Sequence, residues 1–156
     1  MSDKQNQADP FDLNRFVDAQ SVDYPVALAE LRAGQKRTHW IWYIFPQIAG
    51  LGHSPMSERY AIRSEGEARA YLAHPVLGPR LVECAEAVLG VEGRSAHEIM
   101  GSPDDLKLKS CATLFAYISP EGSVFHRILE HYYEDERDQR TIDRLHSVSR
   151  KPDSLL

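Results

Sequence analysis

Cysteine is scarce in this sequence: Cys84 and Cys111 are the only two among 156 residues. Both sit inside apolar helical patterns and form no close metal-type pair, so buried reduced thiols are expected in place of a disulfide or a thiolate metal site. There is no uninterrupted apolar run long enough to span a bilayer, and the opening "MSDKQNQADP" has no apolar middle of the kind a secretory signal carries. A cytoplasmic location is the expectation. Basic charge is also in short supply, with a formal net charge of -5, which argues against a broad surface for nucleic acid polymers or for anionic membrane. The one local cluster of positive charge is "GQKRTH", from Gly34 to His39.

What is present describes an ordinary folded domain. The apolar fraction is 42% and the charged fraction 26%, far from a disordered composition. A chain of this length fits one core, because two cores would leave each half near the size at which burial barely offsets ordering entropy. The domain is expected over 9–149, with a flexible lead-in at 1–8 and a frayed tail at 150–156.

Apolar spacing predicts helices throughout. "DPFDLNRFVDAQ" offers Asp9 as a cap, Pro10 at the first helical position, and Leu13, Phe16 and Val17 on one face. "DYPVALAELRAG" reads as a separate second helix stopped by Gly34. The run Trp40 to Phe45 suits either a buried strand or a buried helical turn; Thr38 as a cap, Pro46 as a stop and the lack of a partner strand favour helix. Ser64 and Glu67 have capping-box spacing before Ala68, Tyr71 and Leu72. After Pro75, "GPRLVECAEAVLG" buries Leu81, Cys84, Ala85 and Val88, with Arg80, Glu83 and Glu86 facing away. In "SPDDLKLKSCATLFAYIS", Ser102 is expected to cap, Pro103 to begin the helix, and a wide apolar face around Leu108, Cys111, Ala112 and Phe115 to make it central. "SVFHRILEHYYED" and "DQRTIDRLHSVS" complete the pattern. The expected fold class is all-α, a compact single domain of roughly eight short helices around the Ser102 helix.

Candidate chemistry gathers at "HWIWYIFPQIAGLGHSP". Gly50 and Gly52 allow backbone amides to turn towards a ligand, and Ser54 followed by Pro55 reads as the start of a helix, an arrangement that favours phosphate or carboxylate; the same two glycines also suit a plain tight turn. His39, beside Lys36 and Arg37, is the candidate proton carrier, although a histidine there also suits a bond to a backbone carbonyl. Trp40 and Trp42 offer stacking faces and equally good core packing, and Gln47 is an amide that must find polar partners if buried. Lys107 and Ser110 form a polar stripe on the Ser102 helix, while Asp105 and Lys109 have the spacing of a surface ion pair. "HEIM" lacks the second histidine of the zinc motif, and His126, Glu130 and Glu134 form a helical row better suited to solvent than to metal, so no metal site is expected. No nucleophile elbow, Walker loop or Rossmann fingerprint appears, and no motif names a cofactor or a reaction class.

The strings "FDLNRFVDAQ", "HWIWYIFPQIAGLG", "YAIRS", "AYLAHPVLGPRL" and "DDLKLKSCATLFAYI", in that order, resemble the bacterial family known as the domain of unknown function numbered 1810. The resemblance covers nearly the whole expected domain. Its motif positions fall on His39, Trp40, Trp42, Phe45, Pro46, Gln47, Gly50, Leu51, Gly52, Ser54, Tyr60, His74, Pro75, Gly78, Arg80, Leu81, Lys107, Ser110, Thr113, Leu114 and Phe115. It implies an all-helical single domain and no particular activity. Members of that family are sometimes labelled calpastatin; calpastatin inhibits through disordered segments, whereas this sequence has the composition of a compact domain.

Two functional expectations result. The first is a small anionic, flat ligand, nucleotide-like or a phosphorylated metabolite, held where the Gln47 to Ser54 loop meets the Ser102 helix, with His39 available for catalysis. The alternative is a non-catalytic protein-interaction module with a groove beside the aromatic run.

Overall fold

The computed structural model describes residues 8–154, with side chains as far as residue 147. The expected lead-in, apart from Ala8, and the side chains of the expected tail lie outside the described residues. Among the described residues nine helices follow one another: α1 (Asn14–Arg32), α2 (Ile41–Ile44), α3 (Pro55–Arg59), α4 (Glu65–Ala73), α5 (Leu77–Leu89), α6 (Ala96–Met100), α7 (Asp104–Tyr117), α8 (Val124–Tyr133) and α9 (Gln139–Ser154). Among the described residues there is no strand, only one isolated parallel bridge between Ile48 and Ile62. The all-α expectation holds. No described helix is long and apolar enough to cross a membrane.

The first two expected helices are one. Pro25 lies inside α1, where its missing N–H costs a backbone bond, yet the buried positions Phe16, Gln20, Ala27 and Leu31 stay in phase on both sides of it. A continuous buried face outweighs the local break. Asp9 is not the N-cap and Pro10 does not begin the helix, which starts at Asn14 after Leu13; the Asp9 carboxylate still accepts from the N–H groups of Leu13 (2.8 Å) and Asn14 (3.0 Å) from the preceding turn. Within the helix Gln20 is buried, donating to Tyr43 O (2.7 Å) and to the Tyr71 hydroxyl (3.1 Å) and accepting from Arg80 (3.3 Å). Arg80 therefore turns towards α1 instead of facing away, and Glu83 accepts from the Tyr24 hydroxyl. The Gln20 amide supplies partners that a lone polar group in a core requires.

The aromatic run is a single helical turn, α2, closed at Phe45, whose φ of -124° and ψ of 75° lie outside the α region that a following proline disfavours. Thr38 does not cap it. Its hydroxyl donates to Glu30 (2.7 Å), and the same carboxylate accepts from Arg37 N–H (2.9 Å), Thr38 N–H (3.1 Å) and the Trp40 indole (2.8 Å). Burial pushes the Glu30 carboxyl up, but these donors favour its charged form more strongly and hold its pKa down at about 2.

Polar side chains also fix the remaining entries. Ser54 accepts from Ser57 N–H, as its position before Pro55 predicts, and Ser64 accepts from Glu67 N–H (3.0 Å). The reciprocal half of the expected capping box is missing, because Glu67 binds Arg63 N–H (2.9 Å) and the Arg15 guanidinium (2.7 Å). A complete capping box occurs instead at Ser95 and Glu98. His74 caps α5, with Nδ1 accepting from Val76 N–H (3.0 Å) and Leu77 N–H (3.2 Å). Gly78 brings α5 against the end of α4: a Cβ there would stand 2.1 Å from Leu72 O.

Helix α7 is central, as expected, burying Leu108 and every residue from Ser110 to Ala116 beneath α4, α6, α8 and α9. It begins at Asp104, and Ser102 does not cap it. Asp105 and Lys109 do not pair with each other; Asp105 approaches His97 (3.4 Å) and Lys109 reaches Glu136 (2.6 Å). Cys84 and Cys111 are free and buried, and burial is the main cause that raises the Cys84 thiol to about 12 and Cys111 well above its usual range.

Two outcomes are expected. Gly78→Ala should destabilise the fold by about 2 kcal/mol in urea unfolding, because a backbone carbonyl cannot yield to a new methyl group as a side chain would. Glu30 has a folded pKa below its ordinary 4.5, so its contribution is present above pH 4.5 and is lost as pH falls through about 2. Glu30→Gln should therefore lose about 2 kcal/mol at neutral pH, allowing for partial solvent screening, and its acid unfolding curve should be shallower than that of the parent between those values.

Candidate functional site

The bridge at Ile48 and Ile62 shapes a concave surface around the Gln47 to Ser54 loop. Ile62 N–H donates to Gln47 O and Ala49 N–H donates to Ile62 O, both at 2.8 Å, which draws the glycine loop against the segment after α3. Between them lies a cavity of about 290 Å³ lined by Trp42, Gln47, Ile48, Ala49, Gly50, Gly52, His53, Ser57, Glu58, Tyr60, Ala61 and Arg63. Its wall comes from α2, the loop, α3 and the stretch leading to α4. That volume sits at the lower end of small-molecule sites.

Four of the expected site residues meet here: Trp42, Gln47, Gly50 and Gly52. Both glycines have steric reasons. Gly50 has a φ of +97°, and a Cβ on it would stand 1.8 Å from the Arg144 guanidinium, which also donates from Nε to Ala49 O (3.2 Å). At Gly52 a Cβ would lie 2.6 Å from Ser57 Oγ. The loop is thus shaped by close approach of α3 and α9 side chains.

The other expected residues are elsewhere. His39 is exposed and does not line the cavity; the histidine on the wall is His53. Trp40 is 1% exposed, with its indole N–H held by Glu30 and Lys36 Nζ 4.8 Å above its ring, so no face is open for stacking. The Ser54 hydroxyl is spent on Ser57, accepting from its N–H (3.1 Å) and lying 2.9 Å from its Oγ. Ser110 is buried, 3.1 Å from both Leu106 O and Asp138 Oδ2, while Asp138 N–H donates to Thr113 Oγ1 (2.9 Å). The Ser110 and Thr113 stripe thus docks the residue before α9. Only Lys107 joins α7 to the motif, with Nζ 5.4 Å from the Trp42 ring centre and 3.7 Å from Asp104.

The cavity wall also includes residues that spacing does not single out: Ser57, Glu58, Ala61 and Arg63. They are brought in by a two-bond bridge between segments with no strand pattern, so periodicity carries no trace of them. The wall's charge is mixed, with Arg63 and Glu58 both exposed. Of the aromatic run, Ile41, Tyr43, Ile44 and Phe45 join Trp40 in the core at 6% exposure or less, and no ring but Trp42 lies at a surface. Among the described residues the exposed large apolar side chains are Val22, Val26, Leu106 and Tyr117, none of them in that run.

No curated protein compared with the chain matches it. Among solved structures, the chain is similar to the conserved hypothetical protein Rv1873 from Mycobacterium tuberculosis, with 53% sequence identity and a TM-score of 0.87 over 88% of this chain and 99% of that one. That likeness agrees with the single helical domain described above. The family described as "Protein of unknown function (DUF1810)" matches residues 10–145, the stretch that spans α1 to the middle of α9 and the whole of the cavity wall, and the chain belongs to that family.

Proposed function

We propose that the protein binds a small, flat ligand with an anionic group, and that the cavity between the glycine loop and the Tyr60–Arg63 stretch is its site. The observation that carries this reading is Trp42. In a run whose other five members are buried, it is the single ring left half-buried, and it stands on a concave wall with Gln47, His53, Tyr60 and Arg63. An indole beside an amide and a guanidinium supplies a stacking face, a hydrogen-bonding edge and a positive charge, the set that recognises a heterocycle or a compact phosphorylated metabolite. The 290 Å³ volume suits a single such group and not a dinucleotide. His53 is the proton-transfer group nearest to hand in this reading, in place of His39.

The test is a thermal-shift and tryptophan-fluorescence screen against nucleosides, nucleotides, sugar phosphates and simple anions. A ligand present at about one hundred times its dissociation constant should add roughly 2.7 kcal/mol to the native state. Binding should change Trp42 emission, survive Trp40→Phe, and weaken at least about tenfold in Trp42→Ala and Gln47→Ala variants that melt normally. The reading fails if no compound shifts the melt, or if every shift persists in both cavity variants.

A further inference from the structure

Arg63 lines a second cavity, of about 450 Å³, whose charged wall is formed by Asp12, Arg15, Arg59, Arg63 and Glu67, with Ser64 beside them. The five charges are not equivalent. Arg15 and Glu67 form a buried pair at 2.7 Å, with side chains 9% and 3% exposed, and Arg15 is further bonded to four backbone carbonyls, so neither has capacity for a ligand. Near the start of α4, Glu67 N–H is engaged by Ser64 and Arg63 N–H by Glu67.

Arg59 and Arg63 differ. They stand four apart, both are exposed, and among the described residues neither forms an ion pair. Their existing bonds are to neutral oxygens, Arg59 Nε to the Tyr60 hydroxyl (3.2 Å) and Arg63 Nη2 to Glu58 O (3.4 Å). Asp12 is the remaining carboxylate on the wall, so two uncommitted cations face one anion. Two guanidinium groups lining one cavity supply the fork geometry that phosphate oxygens accept bidentately, and a doubly charged phosphate gains from both where a carboxylate satisfies one.

We infer that this second cavity is a phosphate subsite, held by Arg59 and Arg63 and opposed by Asp12. It shares Arg63 with the first cavity but takes nothing from Trp42 or Gln47, so the stacking role given to Trp42 can fail without it.

The experiment is isothermal titration of the full chain with inorganic phosphate at low ionic strength, where screening is weak. Phosphate should bind the parent, at least about tenfold more weakly to Arg59→Gln and to Arg63→Gln, and several-fold more tightly to Asp12→Asn. Arg144→Gln, which removes an exposed guanidinium outside this cavity, should leave phosphate binding unchanged. Adenosine monophosphate identifies the anion's source: tighter binding than phosphate, with the gain lost in Trp42→Ala, makes it a phosphomonoester reaching the first cavity, and equal binding makes it free phosphate. The subsite is overturned if phosphate gives no heat, if binding survives replacement of both arginines, if Asp12→Asn has no effect, or if Arg144→Gln weakens it equally. A result in which phosphate behaves as expected while no flat ligand responds to Trp42→Ala would retire the first-cavity proposal alone.

Discussion

The Arg15 guanidinium is the fastening on which the shape of both cavities depends. From the start of α1 it donates to Phe11 O (2.6 Å) and Asp12 O (2.8 Å) in the preceding turn, to Arg59 O and Ala61 O (both 2.8 Å) after α3, and to Glu67 (2.7 Å) on α4. Burying such a charge is costly unless every donor is used and the counter-charge is close. Here both conditions are met, so three segments distant in sequence are held in one arrangement. The stretch it grips, Arg59 to Ala61, borders both cavities, which places the shape of the candidate sites downstream of one buried ion pair.

Glu30 performs the same task at the other end of α1. Its carboxylate gathers two backbone N–H groups, a hydroxyl and an indole from residues 37 to 40, and so fixes the entry to the aromatic turn. With Trp40 pinned from the core side and Lys36 lying over its ring, the turn rotates Trp42 outward to the cavity. The ring that can meet a ligand is thereby chosen by the ring that cannot.

Many of the residues in the strings that carry the family resemblance hold the fold together. Ser110 and Thr113 dock Asp138 ahead of α9; His74 caps α5; Gly78 lets α5 touch the carbonyl of Leu72. Each is a residue type that sequence alone assigns equally well to a ligand or to a neighbour, because a hydroxyl, an imidazole or a glycine has the same appearance in either role. Gly50 illustrates the ambiguity most directly. Its positive φ was legible as a tight loop, but the guanidinium from α9 that fills the space above it lies 94 positions further along the chain, and no local pattern announces it.

The sequence by itself determined the all-helical class, the single core, the central place of α7, the buried thiols and the loop around which a cavity forms, since these follow from apolar spacing, caps and composition, which are local properties. Tertiary structure decided that α1 passes through Pro25, that Trp42 and not Trp40 faces outward, that His53 and not His39 reaches the cavity, and that Arg59 and Arg63 share a wall. Those outcomes depend on which side chains approach one another across the fold, and a contact between segments far apart in sequence leaves no periodicity behind.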